Sequence, residues 1–294
     1  MHFCRNNITL VGIGILLAGS ILQAETMEIL KNPVLEIKRV LNTINIDGDL
    51  TDIEWGQSGG TDYFLEIEPG DNIAPQEKTE VKVAYDDQNL YVAFLAFADP
   101  KDIRASFQGR DQAWMDDWVA IFLDTYGDAN TGTMVGANPY GIQMDAINNG
   151  NGKEDPSFDL VYESKGKITD DGYQVEMAIP FSSLSFPDKE VQEWKVGFYR
   201  SLPREKRSQI IWGGFDRTNP CFLCQMGTLI GIHGIKQNGS FEFLPAIVGS
   251  QAAELDQNNT LKKGTAAGEA SLGIKYSLSS DRVIELTINP DYSQ

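Results

Sequence analysis

Residues 79–99 constrain the fold more than any other stretch of the chain. Val81, Val83 and Tyr85 alternate with polar residues, Asp86-Asp87-Gln88-Asn89 reverses the direction, and residues 90–97 return as an apolar run. Alternation with a period of two on either side of a turn is the mark of half-buried strands, so this stretch predicts a β-hairpin. Similar units follow. Strands are predicted at residues 118–124, 133–137, 141–147, 159–164, 172–179, 194–200, 210–213 and 227–232, separated by Asp and Gly clusters. Asp170-Asp171-Gly172 is a strong hairpin turn, Lys165-Gly166 reads as a second turn region, and residues 181–184 read as one helical turn between Pro180 and Pro187. Many short strands without an amphipathic helix predict an all-β fold, a β-sandwich over residues 33–235. Hydrophobic residues at 41% supply its core, and 28 Gly and 12 Pro supply its turns.

Two segments flank this unit. Arg5, an apolar run over residues 8–22, and then Gln23-Ala24 match a secretory signal peptide of residues 1–24. The run falls short of the ~20 residues of a spanning helix. Cys4 precedes the run, so it cannot carry a lipoprotein anchor. The expectation is an exported protein. After residue 236 the pattern changes. Leu272, Ile274, Tyr276 and Leu278 alternate with Ser271, Gly273, Lys275 and Ser277; residues 279–281 turn; Ile284, Leu286 and Ile288 then oppose Val283, Glu285 and Thr287. Residues 251–268 are polar and poor in strand formers. Clean alternation over ~9–11 residues suits a membrane β-barrel, although a soluble hairpin has the same pattern.

Charge narrows the partners. A formal net charge of -18 disfavours nucleic acid, whose phosphates are bound through Lys and Arg. Carboxylates can instead bind Ca²⁺ in an exported protein, or simply keep it soluble. Asp124, Asp128 and Asn130 form an Asp-x-x-x-Asp-x-Asn run whose oxygens suit Ca²⁺, with a solvated turn as the alternative. Cys221 and Cys224, the two cysteines beyond the leader, leave three readings open: a disulfide, two free thiols, or half of a metal site near His233. His233 is the one histidine beyond the leader and ends an apolar strand, which disfavours Ser-His-Asp and Cys-His catalysis. Two carboxylates would serve a glycosidase, but among 42 acidic residues their presence decides nothing.

Four stretches carry a family resemblance: Ile44-Asn45-Ile46-Asp47-Gly48-Asp49 followed by Trp55, residues 81–91 with Tyr85-Asp86-Asp87, residues 114–124, and residues 172–181. Over residues 40–235 the chain resembles a family 9 carbohydrate-binding module, a β-sandwich of jelly-roll type. Arg110-Asp111 before Asp116-Asp117, Asn138-Pro139 with Gly141, and the ending Asn289-Pro290-Asp291-Tyr292-Ser293-Gln294 resemble a group of bacterial outer-membrane proteins. In that group such a module precedes a barrel of unassigned function. The resemblance implies that residues 236–294 are only the opening of a C-terminal barrel. It also places the sandwich at the outer membrane, in the periplasm or at the cell surface, with structural calcium as in related modules.

A sugar site needs a flat apolar ring for the C–H face of a pyranose and polar groups for its hydroxyls. Trp114, in a Gly- and Asp-flanked loop before a strand, is the first candidate, and it matches one of the two rings that hold the sugar in the family. Arg110, Asp111, Asp116 and Asp117 crowd the same loop and suit either sugar hydroxyls or an ion pair. Where the family has its second ring this chain has residues 216–222 without a tryptophan, and Phe222 is the candidate substitute. The family's sugar-bonding glutamate falls on Ala120. Trp55, Trp118, Trp194 and Trp212 read as core.

The reading that follows is non-catalytic binding of an oligo- or polysaccharide, linked to capture or catabolism of a xylan-type glycan at the outer membrane. Its alternatives are a structural or gating domain of a barrel that binds no sugar and, third, an O-glycosyl hydrolase.

Overall fold

A computed structural model describes residues 29–150, 153–236, 241–255, 261–279 and 282–288. The leader at residues 1–24, the last two residues of the turn at 279–281 and the ending 289–294 lie outside the described residues. The strands are β1 (Val34–Glu36), β2 (Gly59–Thr61), β3 (Phe64–Glu68), β4 (Thr79–Tyr85), β5 (Asn89–Phe97), β6 (Trp118–Asp124) and β7 (Thr131–Ala137). They continue as β8 (Gln143–Asn149), β9 (Glu154–Asp155), β10 (Glu163–Thr169), β11 (Gly172–Pro180), β12 (Val191–Pro203), β13 (Arg207–Trp212) and β14 (Gly227–His233). β15 (Phe241–Leu255), β16 (Leu261–Ser279) and β17 (Arg282–Ile288) form a separate three-stranded antiparallel sheet.

The first fourteen strands make two sheets. The larger runs β1-β14-β12-β6-β7-β8-β9, with β13 bridging β12 and β3; the smaller runs β10-β11-β5-β4-β2. β1 pairs with β14 in parallel, and the other ladders are antiparallel. Alternate residues of both sheets meet in the main core: Val83, Val92 and Phe94 from β4 and β5, Val119 and Ile121 from β6, Val175 from β11, and Trp194 and Phe198 from β12. Removing this apolar surface from water is the main favourable contribution to the fold.

Both outer faces are covered too. Over the smaller sheet, Val40, Ile44, Ile46 and Trp55 pack on Ala84, Tyr91 and Ala93. Glu176 is buried there, accepting hydrogen bonds from Trp55 Nε1 at 2.9 Å and Gly48 N at 2.7 Å. Over the larger sheet lies a cluster of Trp118, Ala120, Phe122, Met134 and Met144 under Leu223 and Met226. β6 is therefore buried along its whole length, one residue parity facing the core and the other this outer cluster.

Two expectations need correction. Lys165-Gly166 is not a turn but the middle of β10, paired with Glu176 and Val175 across the 170–171 turn, and residues 159–162 of the strand expected at 159–164 precede that strand. The glycine serves close approach, because a Cβ on Gly166 would lie 2.5 Å from the Pro139 carbonyl oxygen. The polar stretch 251–268 is largely strand as well: β15 and β16 pair from Phe241↔Tyr276 to Leu255↔Leu261. Cross-strand pairing there outweighs weak intrinsic propensity.

Candidate functional site

The loop of residues 104–117 is tied at its base. Arg104 N donates to Asp117 Oδ2 at 2.8 Å, and Asp117 N donates to the Arg104 carbonyl at 2.8 Å. Ser106 donates to Asp116 from its N at 2.9 Å and from its Oγ at 2.7 Å, and Asn138 Nδ2 donates to Asp116 Oδ2 at 2.9 Å. The tip is tied to β8: Asp111 N donates to the Gln143 carbonyl and Asp145 N to Asp111 Oδ1, both at 3.0 Å. A loop whose ends are this close is an Ω-loop, a frequent carrier of function.

These ties give each candidate its place. Trp114 is half-buried on the loop and meets Trp118 edge-on, centroids 5.7 Å apart at 88°. Asp117 is fully buried, accepts from Arg204 Nη1 at 3.0 Å, and through Arg204 joins Glu77 and Arg200. Arg110 donates to Gln143 Oε1 at 2.7 Å, to the Leu160 carbonyl at 2.6 Å and to the buried Asp145, with its guanidinium over the Tyr162 ring. Asp111, Asp145 and Asp159 bring carboxylate oxygens within 4.8 Å of one another, and Arg110 forms ion pairs with all three. Of the two uses left open for Arg110, Asp111 and Asp117, this geometry is that of an ion-pair framework that shapes the loop.

Asp124, Asp128 and Asn130 are each engaged in hydrogen bonds within their own turn. Asp124 is buried and accepts from the backbone N–H groups of Tyr126, Gly127 and Ala129. Asp128 accepts from the N and Nδ2 of Asn130, at 2.9 and 3.0 Å. The amide thus turns a donor, not its oxygen, toward the carboxylate. Such a set fits a self-capped turn better than the all-oxygen shell of Ca²⁺.

Cys221 and Cys224 are disulfide-bonded, with Cα atoms 5.4 Å apart. The bridge fixes a short 3₁₀ turn that lays Phe222 and Leu223 on the larger sheet. Phe222 packs edge-on against Phe122 at 5.0 Å and its N–H donates to the Gly150 carbonyl at 3.1 Å. It therefore packs as a cover on the sheet.

Two residues read from sequence as core or left unremarked complete the site. From Trp114 the rings run through Trp118 to Tyr199 (4.9 Å, 33°), then Phe122 (6.1 Å) and Phe222. Tyr199 pairs across the ladder with Ala120, whose other neighbour is Gly136, both of them buried. Burial pushes the Tyr199 phenol well above its ordinary range; Arg207 opposes this, while Glu154 and Glu68 add to it. Arg207 donates to Ser201 Oγ at 2.6 Å and reaches Met115 Sδ, next to Trp114. The register Trp118↔Ser201↔Gln209↔Glu68 sets those four on one face. Trp118 is 8% exposed, and its buried Nε1–H has no acceptor among the described residues. A buried indole N–H ordinarily has a partner.

The sequence matches the carbohydrate family 9 binding domain-like family over residues 46–207. The chain belongs to this family. The family 9 match spans the 104–117 loop, Trp118 and Tyr199, so the aromatic corner falls within it. Among solved structures, the chain is similar in fold to a candidate carbohydrate-binding protein of Bacteroides uniformis, at 15% identity and a TM-score of 0.54, covering 67% of this chain and 98% of that one. It also aligns with a family 9 carbohydrate-binding module from Caldicellulosiruptor kristjanssonii. In complex with cellotriose the alignment has 20% identity, a TM-score of 0.46 and coverage of 67% and 92%. In complex with glucose it has 20% identity, a TM-score of 0.46 and coverage of 70% and 98%. No curated protein matches the chain significantly.

Proposed function

We propose that the sandwich binds a glycan without catalysis at the Trp114, Trp118 and Tyr199 corner of its larger sheet. The observation that carries this reading is the half-buried Trp114 ring set edge-on to Trp118, with the half-buried Tyr199 ring beyond it. Rings offer the C–H face of a pyranose its apolar contact. Arg207, Ser201 and Gln209 supply polar neighbours. Membership of a carbohydrate-binding family supports the same reading.

The ligand class that fits is a plant-type β-linked polysaccharide such as xylan, captured at the outer membrane by an exported protein. The leader pattern at 1–24 supports export. The register of β15–β17 supports a barrel opening: Phe243, Ile274 and Leu286 align in one row, Leu272 and Ile288 in the next, and Phe243, Leu286 and Ile288 are exposed. An apolar band of this kind is what a lipid-facing barrel wall requires.

Calorimetric titration of β-1,4-linked xylo- and gluco-oligosaccharides into the protein and its Trp114→Ala variant tests the site. Binding by the parent and at least a tenfold loss in the variant is the expected outcome. Equal binding by both proteins overturns it. A second reading, a structural domain without a sugar, is favoured by Phe222 and Leu223 covering the Phe122 end of the face; it predicts no binding to any glycan offered.

A further inference from the structure

Phe107 and Tyr140 stack face to face outside every hydrophobic cluster of the described residues. Their centroids are 4.1 Å apart and their planes differ by 7°. Phe107 is 79% exposed and Tyr140 half-buried. The pair therefore contributes little to the fold through burial, which is how an aromatic ring ordinarily stabilises a protein.

Both rings are nonetheless held firmly. Phe107 follows Ser106, whose N and Oγ are fixed to Asp116. Tyr140 sits in a turn where the fully buried Asn138 accepts at Oδ1 from Tyr140 N at 3.0 Å and Ile142 N at 2.9 Å. Ser164 Oγ donates to the Gly141 carbonyl at 2.8 Å. Gly141 has φ +76° and no room for a Cβ, because the Lys165 Cα and Gly166 N lie 2.8 Å from where it would be. Asn138 Nδ2 links the two segments by donating to both the Ser106 carbonyl and Asp116. A flat ring held open by a rigid backbone is preorganised for a flat ligand.

From this geometry we infer that Phe107, backed by Tyr140, is a second stacking platform for a neutral pyranose of the same glycan. The inference rests on the sugar-binding reading above. The residues on either side of Phe107 in the chain are Ser106 and Gln108, whose hydroxyl and amide are joined at 2.5 Å. These uncharged groups suit sugar hydroxyls. Phe107 and Trp114 are on one loop, closed by the Ser106–Asp116 contact, which with 3.8 Å between consecutive Cα atoms keeps their Cα atoms within roughly 20 Å. A short oligosaccharide spans that distance.

The test is a length series. β-1,4-linked oligosaccharides of increasing length are titrated into the full chain, Phe107→Ala and Trp114→Ala, with thermal melts confirming that each variant folds. Phe107→Ala is expected to leave the affinity for mono- and disaccharides unchanged and to weaken the longest members about fivefold. Trp114→Ala weakens every length. Unchanged affinity of Phe107→Ala for the longest oligosaccharide overturns the platform while leaving the Trp114 site intact. Loss in Phe107→Ala with none in Trp114→Ala upholds the platform and overturns the Trp114 site. An absence of binding to the parent protein overturns both.

Discussion

Trp118 and Tyr199 lie on adjacent strands, their ring centroids 4.9 Å apart and their planes tilted by 33°. Tyr199 faces Ala120 across the β6–β12 ladder, two residues from Trp118 and so on the same face, which is why the rings lean together. Tyr199→Ala removes the half-buried ring that follows Trp118 in this row. Glycan affinity should fall about fivefold, roughly the 1 kcal/mol of one aromatic contact. Unaltered affinity in calorimetry, in a variant whose thermal melt shows that it folds, would mean that Tyr199 does not contact the ligand.

Arg110 and Asp145 form the central ion pair of the 104–117 loop, and Asp145 is fully buried. Burial raises the Asp145 carboxyl above its ordinary value, while the Leu160 N–H and Arg110 pull it back. Arg110→Ala removes the counter-charge and should cost about 3 kcal/mol at pH 7. The sign of its pH dependence follows from the raised value. A carboxyl whose folded pKa lies above the unfolded one contributes stability at pH values below the unfolded pKa, and that contribution is lost as pH rises through the folded pKa. The deficit of the variant should therefore be smallest at acid pH, where Asp145 is protonated in both states, and grow toward neutrality. Urea unfolding between pH 3.5 and 7 measures it (roughly the range in which a raised carboxyl titrates); a constant deficit would show that the pair is not electrostatically coupled.

The Cys221–Cys224 bridge holds Phe222 and Leu223 on the larger sheet, with Leu223 fully buried over Gly132. Replacing both cysteines by serine should lower stability by about 2 kcal/mol, the chain-entropy value for so short a loop. Guanidinium unfolding measures this loss. An unchanged midpoint would assign the hold on the loop to Leu223 packing alone.

How much of this was legible beforehand varies with the range of the interaction involved. The hairpin of β4 and β5 and the 170–171 turn were legible because alternation and turn chemistry act over a few residues. The helical turn at residues 181–183 was legible for the same reason. Loop composition is also local, and it marks Trp114. Trp118 has the pattern of a core residue and is buried, yet local pattern does not say on which side. In Trp118–Asp124 every residue is buried, so no alternation remains to mark the outer face. Tyr199 and Arg207 carried no local signal, since they join Trp118 only through ladder register. The roles of Arg110 and Asp117 depended on partners 35 and 87 residues away.

By itself the sequence determined most of the longer strands of the sandwich from β4 onward, the position of most turns and the residues available for its core, because hydrophobic periodicity and backbone preference are properties of neighbouring residues. The short β1, β2, β3 and β9 carried no such pattern. Tertiary structure decided which faces those strands share. It brought Trp114, Trp118 and Tyr199 into one corner, turned Phe222 into a cover and bound Arg110 to Asp145. Those outcomes depend on sheet order and on the cost of burying unpaired polar groups, quantities that exist only once distant segments are packed together.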